Sequence, residues 1–323
     1  MTAEPGTRIL KADQDAIEAG SRSLSAGGLV AFPTETVYGL GADAGNGAAV
    51  ARLYAAKGRP SFNPLIAHVA DTGSACRIGI FTPAAEKLAA AFWPGPLTLV
   101  VAKRPDADIA DLALAGLDTV GLRVPEHPVA HELLKAFKGA VVAPSANRSG
   151  HVSPTSATHV LADLRGRIDL IVDAGPCAVG VESTIVSCVD HPTLLRPGGI
   201  PRDAIERVLG SPLATASAID DAPVAPGMLM SHYAPRAALR LDADTAQTGE
   251  ALLAFGHAPP FSGTALNLSP RGDLIEAAAN LFSHLRALDA SGARHIAVMK
   301  VPHEGLGEAI NDRLKRAAAP RRL

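Results

Sequence analysis

Along the first 210 residues, short apolar runs alternate with helical patterns, and that alternation restricts the chain to an α/β architecture rather than a helix bundle or a sandwich. The runs Gly28 to Pro33, Leu97 to Ala102, Val120 to Val124, Ala140 to Ala143, Asp169 to Val172 and Ser183 to Val189 read as strands. Several are apolar on both faces, so their sheet must be covered on both sides or wrapped around a cavity. Between them, Val50, Leu53 and Tyr54 fall at helical spacing before Gly58, a C-terminal cap, and Pro60 forbids continuation. Thr82 caps a second helix with Pro83 in its first turn; it buries Leu88 and Phe92 and stops at WPGP. Further helices are expected at Pro128 to Phe137, Ser156 to Leu164 and Pro201 to Leu209.

The periodicity lapses from Ser211 to Pro235, a stretch rich in Ala, Pro, Ser and Asp that reads as a linker. Beyond it, Leu239 to Leu241, Leu252 to Phe255, Thr264 to Leu268 and Ile296 to Val301 read as strands, with helices at Leu274 to Leu288 and Leu306 to Ala318. A chain of 323 residues exceeds what one hydrophobic core usually serves. The expected organisation is a larger α/β domain at 1–210, a linker at 211–235 placed to fold over a site as a lid, and a small α/β domain at 236–323.

Composition narrows the partners. Apolar residues make up 47% and charged residues 19%, as in a folded chain with a sizeable core. The formal net charge of −2 supplies no overall basic field for nucleic acid or anionic membrane, so any anion site must be local. The N-terminal MTAEPGTRILKADQD lacks the apolar stretch of a secretory signal, and no run approaches the roughly 18 apolar residues of a spanning helix. The chain therefore reads as cytoplasmic, without a membrane partner. Cys76, Cys177 and Cys188 form no C-x-x-C pair and read as small buried thiols. His127 and His131 have a zinc-like spacing but lack acidic or cysteine companions, so they read as helix-surface histidines, and no metal is expected on protein side chains.

The chemistry-bearing stretch is FPTETVYGLGADAGNGAAVARLYAAKGRPSFNPLIAHV, residues 32 to 69. Lys57 and Arg59 flank the capping Gly58, and because the chain turns extended there, both cations can face one anion such as a triphosphate. Cations at a helix C-terminus also simply suit its dipole, and on this stretch alone the two readings are even. In VVAPSANRSGHVSPT, residues 141 to 155, Ser145, Asn147 and Ser153 follow an apolar strand, where open α/β sheets place ligands; taken alone, an ordinary capped turn is the favoured account of them. Arg123 in DTVGLRVP, Arg196 in LLRPGG and the polar Glu182, Ser183 and Thr184 in GVESTIV interrupt strand patterns. A buried arginine needs an anionic partner, although surface salt bridges account for any one of them singly. The chain has no P-loop, no G-x-G-x-x-G fingerprint and no G-x-S-x-G elbow.

Taken in order, FPTETVYGLG, Lys57-x-Arg59 with RPSFNPL, TVGLRVP, Ser145-x-Asn147 in PSANRSG, ESTIV and LLRPG resemble the YrdC-type threonylcarbamoyl-AMP synthases, over about residues 20 to 205. The appended region and the linker APGMLMSHYAP resemble the long, two-domain form of that family. The resemblance implies a YrdC-like twisted sheet around a concave basic cavity, followed by a smaller Rossmann-like α/β domain. It implies synthesis of threonylcarbamoyl-AMP from L-threonine, bicarbonate and ATP with release of pyrophosphate, Mg2+ accompanying the nucleotide. A separate downstream transferase complex would then complete the modification of tRNA beside the anticodon, and a weak direct contact with tRNA is compatible with this role. By the same resemblance, Thr36, His68, Arg123, Ala143 and Ser183 would contact threonine. Arg59, Asn63, Thr119, Ser145, Ser153, Arg196 and Tyr233 would contact ATP, with Lys57, Arg59, Ser145 and Asn147 forming the catalytic signature pairs. Leu229, Met230 and Ser231 depart from the basic and aromatic residues expected before His232 and Tyr233. The rival reading from another class is an RNA-binding module using a basic patch without catalysis, which the near-neutral net charge disfavours.

Overall fold

The computed structural model describes residues 6–215 and 232–320. The chain begins β1 (Arg8–Lys11), α1 (Gln14–Ser25), β2 (Val30–Pro33), β3 (Tyr38–Asp43), α2 (Gly47–Lys57) and β4 (Ile66–His68). It continues through α3 (Thr72–Ile78), β5 (Gly79–Ile80), α4 (Pro83–Phe92), β6 (Leu97–Lys103), α5 (Asp111–Leu114), β7 (Thr119–Arg123) and α6 (Pro128–Phe137). The first unit then closes with β8 (Val141–Val142), α7 (Ala157–Leu164), β9 (Leu170–Asp173), β10 (Thr184–Ser187), β11 (Thr193–Arg196), α8 (Arg202–Leu209) and β12 (Ala214–Thr215). These strands form one mixed sheet in the order β1-β9-β2-β3-β8-β4-β7-β6-β10-β11-β12, with β5 paired to β6.

The local chemistry explains the elements nearest the site. Asn46 starts α2 by accepting from Ala48 N and Ala49 N, both at 3.1 Å, and Gly58 ends it in the left-handed region at φ 61°. Arg59 N then donates back to Tyr54 O at 3.0 Å, which turns the chain away from the helix axis. Thr82 caps α4 as the sequence requires; Leu88 is buried, whereas Phe92 is half-buried against the core edge. Strand ends are brought side by side by register: His68 pairs with Arg123 across β4 and β7, and Ile185 pairs with Arg196 across β10 and β11. An isolated bridge between Gly39 and Ser145 draws the loop after β8 to the same point.

Two readings of the sequence change. Cys76 is exposed, on the outer face of α3, while Cys177 and Cys188 are buried as expected. His127 is the N-cap of α6, its Nδ1 accepting from Val129 N, and the Nδ1 of His131 is buried rather than at the surface. Within the stretch read as linker, β12 adds a last short strand beside β11.

The second unit holds β13 (Ala238–Arg240), β14 (Glu250–Ala254), β15 (Ala265–Asn267), α9 (Leu274–Ala290), β16 (His295–Val298) and α10 (Gly307–Ala318). Its four strands are all parallel in the order β13-β16-β14-β15, a Rossmann-like arrangement. The two units share a core: Val37, Val152 and Val181 of the first lie in one buried cluster with Tyr233, Ala278, Leu281 and Phe282. Arg202 of α8 also pairs with Glu308 of α10 at 2.8 Å.

Gly180 marks the closest approach, because a Cβ there would stand 2.3 Å from Ala278 O and its φ is +77°. Both the contact and the backbone conformation exclude a side chain. Gly180→Ala is therefore expected to lower stability by about 2–3 kcal/mol, read as a lower urea midpoint. An unchanged midpoint would show that the units do not meet at this residue.

Candidate active site

The residues singled out from the sequence sort into three positions around one cavity. Arg59, His68, Arg123, Ala143, Ser145, Ser183, Arg196 and Tyr233 line it directly, joined by Glu182 and His232. About 40 Å³ of open space remains inside, because His232 and Tyr233 lie against it. Thr36 and Lys57 are buried behind the wall, and Thr119 lines a smaller apolar pocket with Ile66, Val100 and Ile185 that shares Ile66 with the main cavity. Ser153 is fully buried, its hydroxyl donating to Glu182 at 2.5 Å.

The cations are held by different means. Arg123 donates to Glu35 Oε1 at 2.7 Å and to the Thr36 hydroxyl at 3.0 Å. Its Nε is buried and has no hydrogen-bond partner among the described residues, which leaves that N–H as a donor for an anion. Arg59 donates to Asn63 O and Pro64 O, and Arg196 to Ser183 O at 2.8 Å and to the Ser183 hydroxyl at 3.1 Å. Burial pulls the Arg59 guanidinium down to about 10, still fully charged at neutral pH.

Lys57 does not share the cavity with Arg59. Its ammonium donates to Ser145 O at 2.5 Å and to Asn147 O, so it clamps the loop after β8 from behind. Burial, followed by the charge of Arg59, depresses its pKa well below the ordinary lysine value. The turn at Gly58 thus separates the two cations, so that Arg59 lines the cavity while Lys57 lies behind its wall. Asn147 extends the same clamp by donating to Arg148 O and His151 O.

Three contributors escaped sequence reasoning. Glu35 pairs Arg123 from 88 residues away, Thr98 shares a hydrogen bond of 2.8 Å with Ser183, and Arg313 of α10 reaches Glu182. Glu35 sits inside the FPTETVYGLG run, where a carboxylate beside two threonines was the available signal. Among the described residues no group of three or more His, Cys, Asp or Glu side chains is placed to hold a metal ion. Glu182 of the cavity wall and the buried Glu35 are already engaged by arginines. Leu229, Met230 and Ser231, with the rest of 216–231, lie outside the described residues. Among the described residues, no helix is long and apolar enough to cross a membrane.

The comparisons with known proteins cover both units. A family profile for Sua5, yciO and yrdC, described as Telomere recombination, matches residues 22–198, and a Threonylcarbamoyl-AMP synthase C-terminal domain profile matches 200–319. The threonylcarbamoyl-AMP synthase of Bacillus subtilis is 44% identical over 315 residues, covering 91% of this chain and 90% of its own. That of Pyrococcus abyssi is 41% identical over 318 residues, covering 91% and 92%. The crystal structure of P. abyssi Sua5 complexed with L-threonine matches with a TM-score of 0.88 at 37% identity, over 97% of each chain.

The buried histidines set an acid limit. Burial drives His68 and His232 down to about 3, helped at His68 by Arg123, and drives His159 down to about 4, where its Nδ1 accepts from Thr155 N. Below pH 6.5 the unfolded chain takes up protons that the folded state refuses, so their stabilisation is complete above that pH and is lost as pH falls toward 3. Each is expected to cost about 2 kcal/mol of stability at pH 5 relative to pH 7. Urea midpoints at the two pH values measure this. The assignment fails if a His68→Gln, His159→Gln variant keeps the full pH slope.

Proposed function

The chain belongs to the Sua5/YrdC threonylcarbamoyl-AMP synthase family, and on that premise we propose that it condenses L-threonine, bicarbonate and ATP into threonylcarbamoyl-AMP and pyrophosphate. The observation that carries the reading is the convergence of Arg59, Arg123 and Arg196, from three distant stretches, on one cavity beside Ser145 and Ser183. The reaction gathers a carboxylate, a carbamate and a triphosphate, and its main requirement is positive charge fixed in advance where negative charge develops.

The amine of threonine joins the bicarbonate carbon with loss of water, and a carbamate oxygen then attacks the α-phosphorus as pyrophosphate departs. Arg123, with the orphaned Nε backed by Thr36, is assigned to the threonine carboxylate. His68, neutral at physiological pH, and Ser183 complete that end, and Ala143 lines it. Arg59, Arg196 and Ser145 are assigned to the phosphates. The apolar pocket at Thr119 is assigned to the base, and Asn63, next in the chain to the lining residue Pro64, to the same end of the nucleotide. Lys57 and Asn147 hold the Ser145 loop in place rather than touching phosphate. No side-chain nucleophile is needed, since positioning and electrostatics carry phosphoryl-type transfers.

Mg2+ would enter with ATP, held by phosphates and water, since Glu35 and Glu182 are engaged by arginines. We assign catalysis to residues 1–210 and place 211–235 as the connection to 236–323. His232 and Tyr233 line the cavity, and in this reading they move aside to make room for a nucleotide, as a lid would. The product would pass to a separate transferase acting on tRNA in the cytoplasm, with at most a weak direct tRNA contact given the net charge of −2.

Pyrophosphate release measured with each substrate omitted in turn tests the reaction, and it should require threonine, bicarbonate and ATP together. Arg59→Ala should lower kcat/KM for ATP at least about tenfold, roughly 1.4 kcal/mol of lost transition-state stabilisation, with an unchanged circular dichroism spectrum. Pyrophosphate release without threonine, or full activity in folded Arg59→Ala, would refute the assignment.

A further inference from the structure

Arg313 is the largest side chain among those with no exposure in the described residues, and it comes from α10 in the appended unit. Its Nε donates to Glu182 Oε2 at 2.8 Å, its Nη2 to Pro197 O at 2.9 Å and its Nη1 to Asp312 Oδ2 at 2.6 Å. The guanidinium also lies 5.2 Å from the centre of the Tyr233 ring. Glu182 is a cavity-lining residue, so a charge supplied by the second unit reaches the wall of the catalytic cavity.

A carboxylate is an awkward lining for a cavity that takes a polyphosphate. Buried and unpaired, it would repel the phosphates and carry a desolvation penalty as well. Burial alone would raise the Glu182 pKa, but Arg313 first, then Arg196 and the Ser153 hydroxyl, hold it below the ordinary value. With one oxygen on Arg313 and the other on Ser153, the carboxylate is also fixed in orientation. The backbone beside Ser153 is gripped from the same unit: Arg286 of α9 donates to Val152 O and to Ser153 O and pairs with Asp163 at 3.0 Å. On the strand side, Gly199 N donates to Glu182 O at 3.0 Å, and Ser183 leads directly to Arg196.

We propose that Arg313 is a positioning residue for the nucleotide, neutralising and orienting Glu182 so that the wall at 182–183 accepts the triphosphate. This rests on reading the cavity as the synthase site. The charge balance of that site is then completed only by the appended unit. Arg313 acts on ATP through Glu182 and touches no reacting atom. Removing the cation leaves the Glu182 carboxylate without its ion-pair partner and its negative charge facing the phosphates, whereas zwitterionic threonine has no net charge to be repelled.

Arg313→Met, made in the full chain, should raise the KM for ATP at least about tenfold while changing the KM for threonine less than about threefold. Adding Glu182→Gln should restore most of the ATP affinity, since an amide needs no counter-charge. In Arg313→Met alone, the KM for ATP should also recover as pH is lowered from 8 toward 5.5, because Glu182 then takes up its proton, and Glu182→Gln should abolish that recovery. The other titratable or charged groups facing Glu182 are Arg196, Tyr233 and His232, while Asp312 faces Arg313. His232 is driven to about 3 by burial and Tyr233 is raised, so neither titrates in that window; Asp312 loses Arg313 in the variant but keeps Arg316, and the Glu182→Gln arm separates its titration from that of Glu182.

Equal loss for both substrates without rescue by Glu182→Gln would reduce Arg313 to a structural residue and overturn the proposal, as would wild-type kinetics in folded Arg313→Met. If Arg313→Met does not fold, Arg313→Lys carries the test. It keeps the charge but loses the fork, and should raise the KM for ATP about threefold or more, again selectively; no selectivity overturns the proposal. A wild-type protein that binds ATP but releases no pyrophosphate sinks the parent reading instead. Calorimetric ATP affinities of the same variants then decide the role of Arg313 independently.

Discussion

Positive charge buried at the ends of sheet strands is the constraint from which the rest of the structure follows. A guanidinium or ammonium removed from water must be met by carboxylates or by a cage of dipoles. The chain uses both, and the difference has consequences. Arg123 and Arg313 are met by Glu35 and Glu182, so each pair is close to neutral. Lys57 and Arg59 are met by backbone carbonyls, which satisfy hydrogen bonds without cancelling charge. The cavity therefore keeps a positive potential for a ligand to complete, and it keeps that potential without an overall basic surface.

That arrangement depends on strand register. His68 stands beside Arg123, and Arg196 beside Ile185, only because β4 with β7 and β10 with β11 pair as they do. A slip of one residue would turn each polar side chain to the opposite face. The apolar runs that fix the register, such as the buried Leu97, Leu99 and Val101 of β6 against Val120 and Leu122 of β7, are thus part of the site although they touch no substrate.

The long apolar strands and the capped helices were legible in the sequence because one local signal decided each: a run of apolar residues for β6, and a cap with helical spacing for α2 and α4. β3 was not legible. Its YGLGAD carries two glycines that weaken strand propensity, yet Gly41 is required because a Cβ would lie 2.9 Å from both Phe32 and Val141. β1 is an edge strand with mostly exposed residues, and α1 is too polar to announce a buried face, although its Asp13 cap and its buried Ile17 and Leu24 are real. At the site, Arg59, Arg123 and Arg196 stood out only as members of an ordered set of motifs. The place of Lys57 was not legible because nothing local reveals which way a side chain leaves a helix-ending turn. Arg313 carried no signal at all, since its partner Glu182 is 131 residues away and sequence spacing does not encode such a contact.

The shared core decides how such a site can open. Val37, Val152 and Val181 pack in one cluster with Leu281, Phe282 and their neighbours, and each fully buried Leu or Phe accounts for about 1.5–3 kcal/mol. Swinging the second unit away would expose that cluster and break the buried ion pair of Arg313 with Glu182. Releasing residues 232–234 breaks His232 N to Arg316 O and Ala234 N to Gly150 O, worth roughly 1 kcal/mol each, and relieves Tyr233 of its left-handed backbone at φ 62°. The Tyr233 ring does lose its stack on Phe282 at 5.5 Å. Even so, the local route leaves both buried ion pairs intact, Arg123 with Glu35 and Arg313 with Glu182. Opening by the short segment therefore breaks fewer buried contacts than separating the two units would.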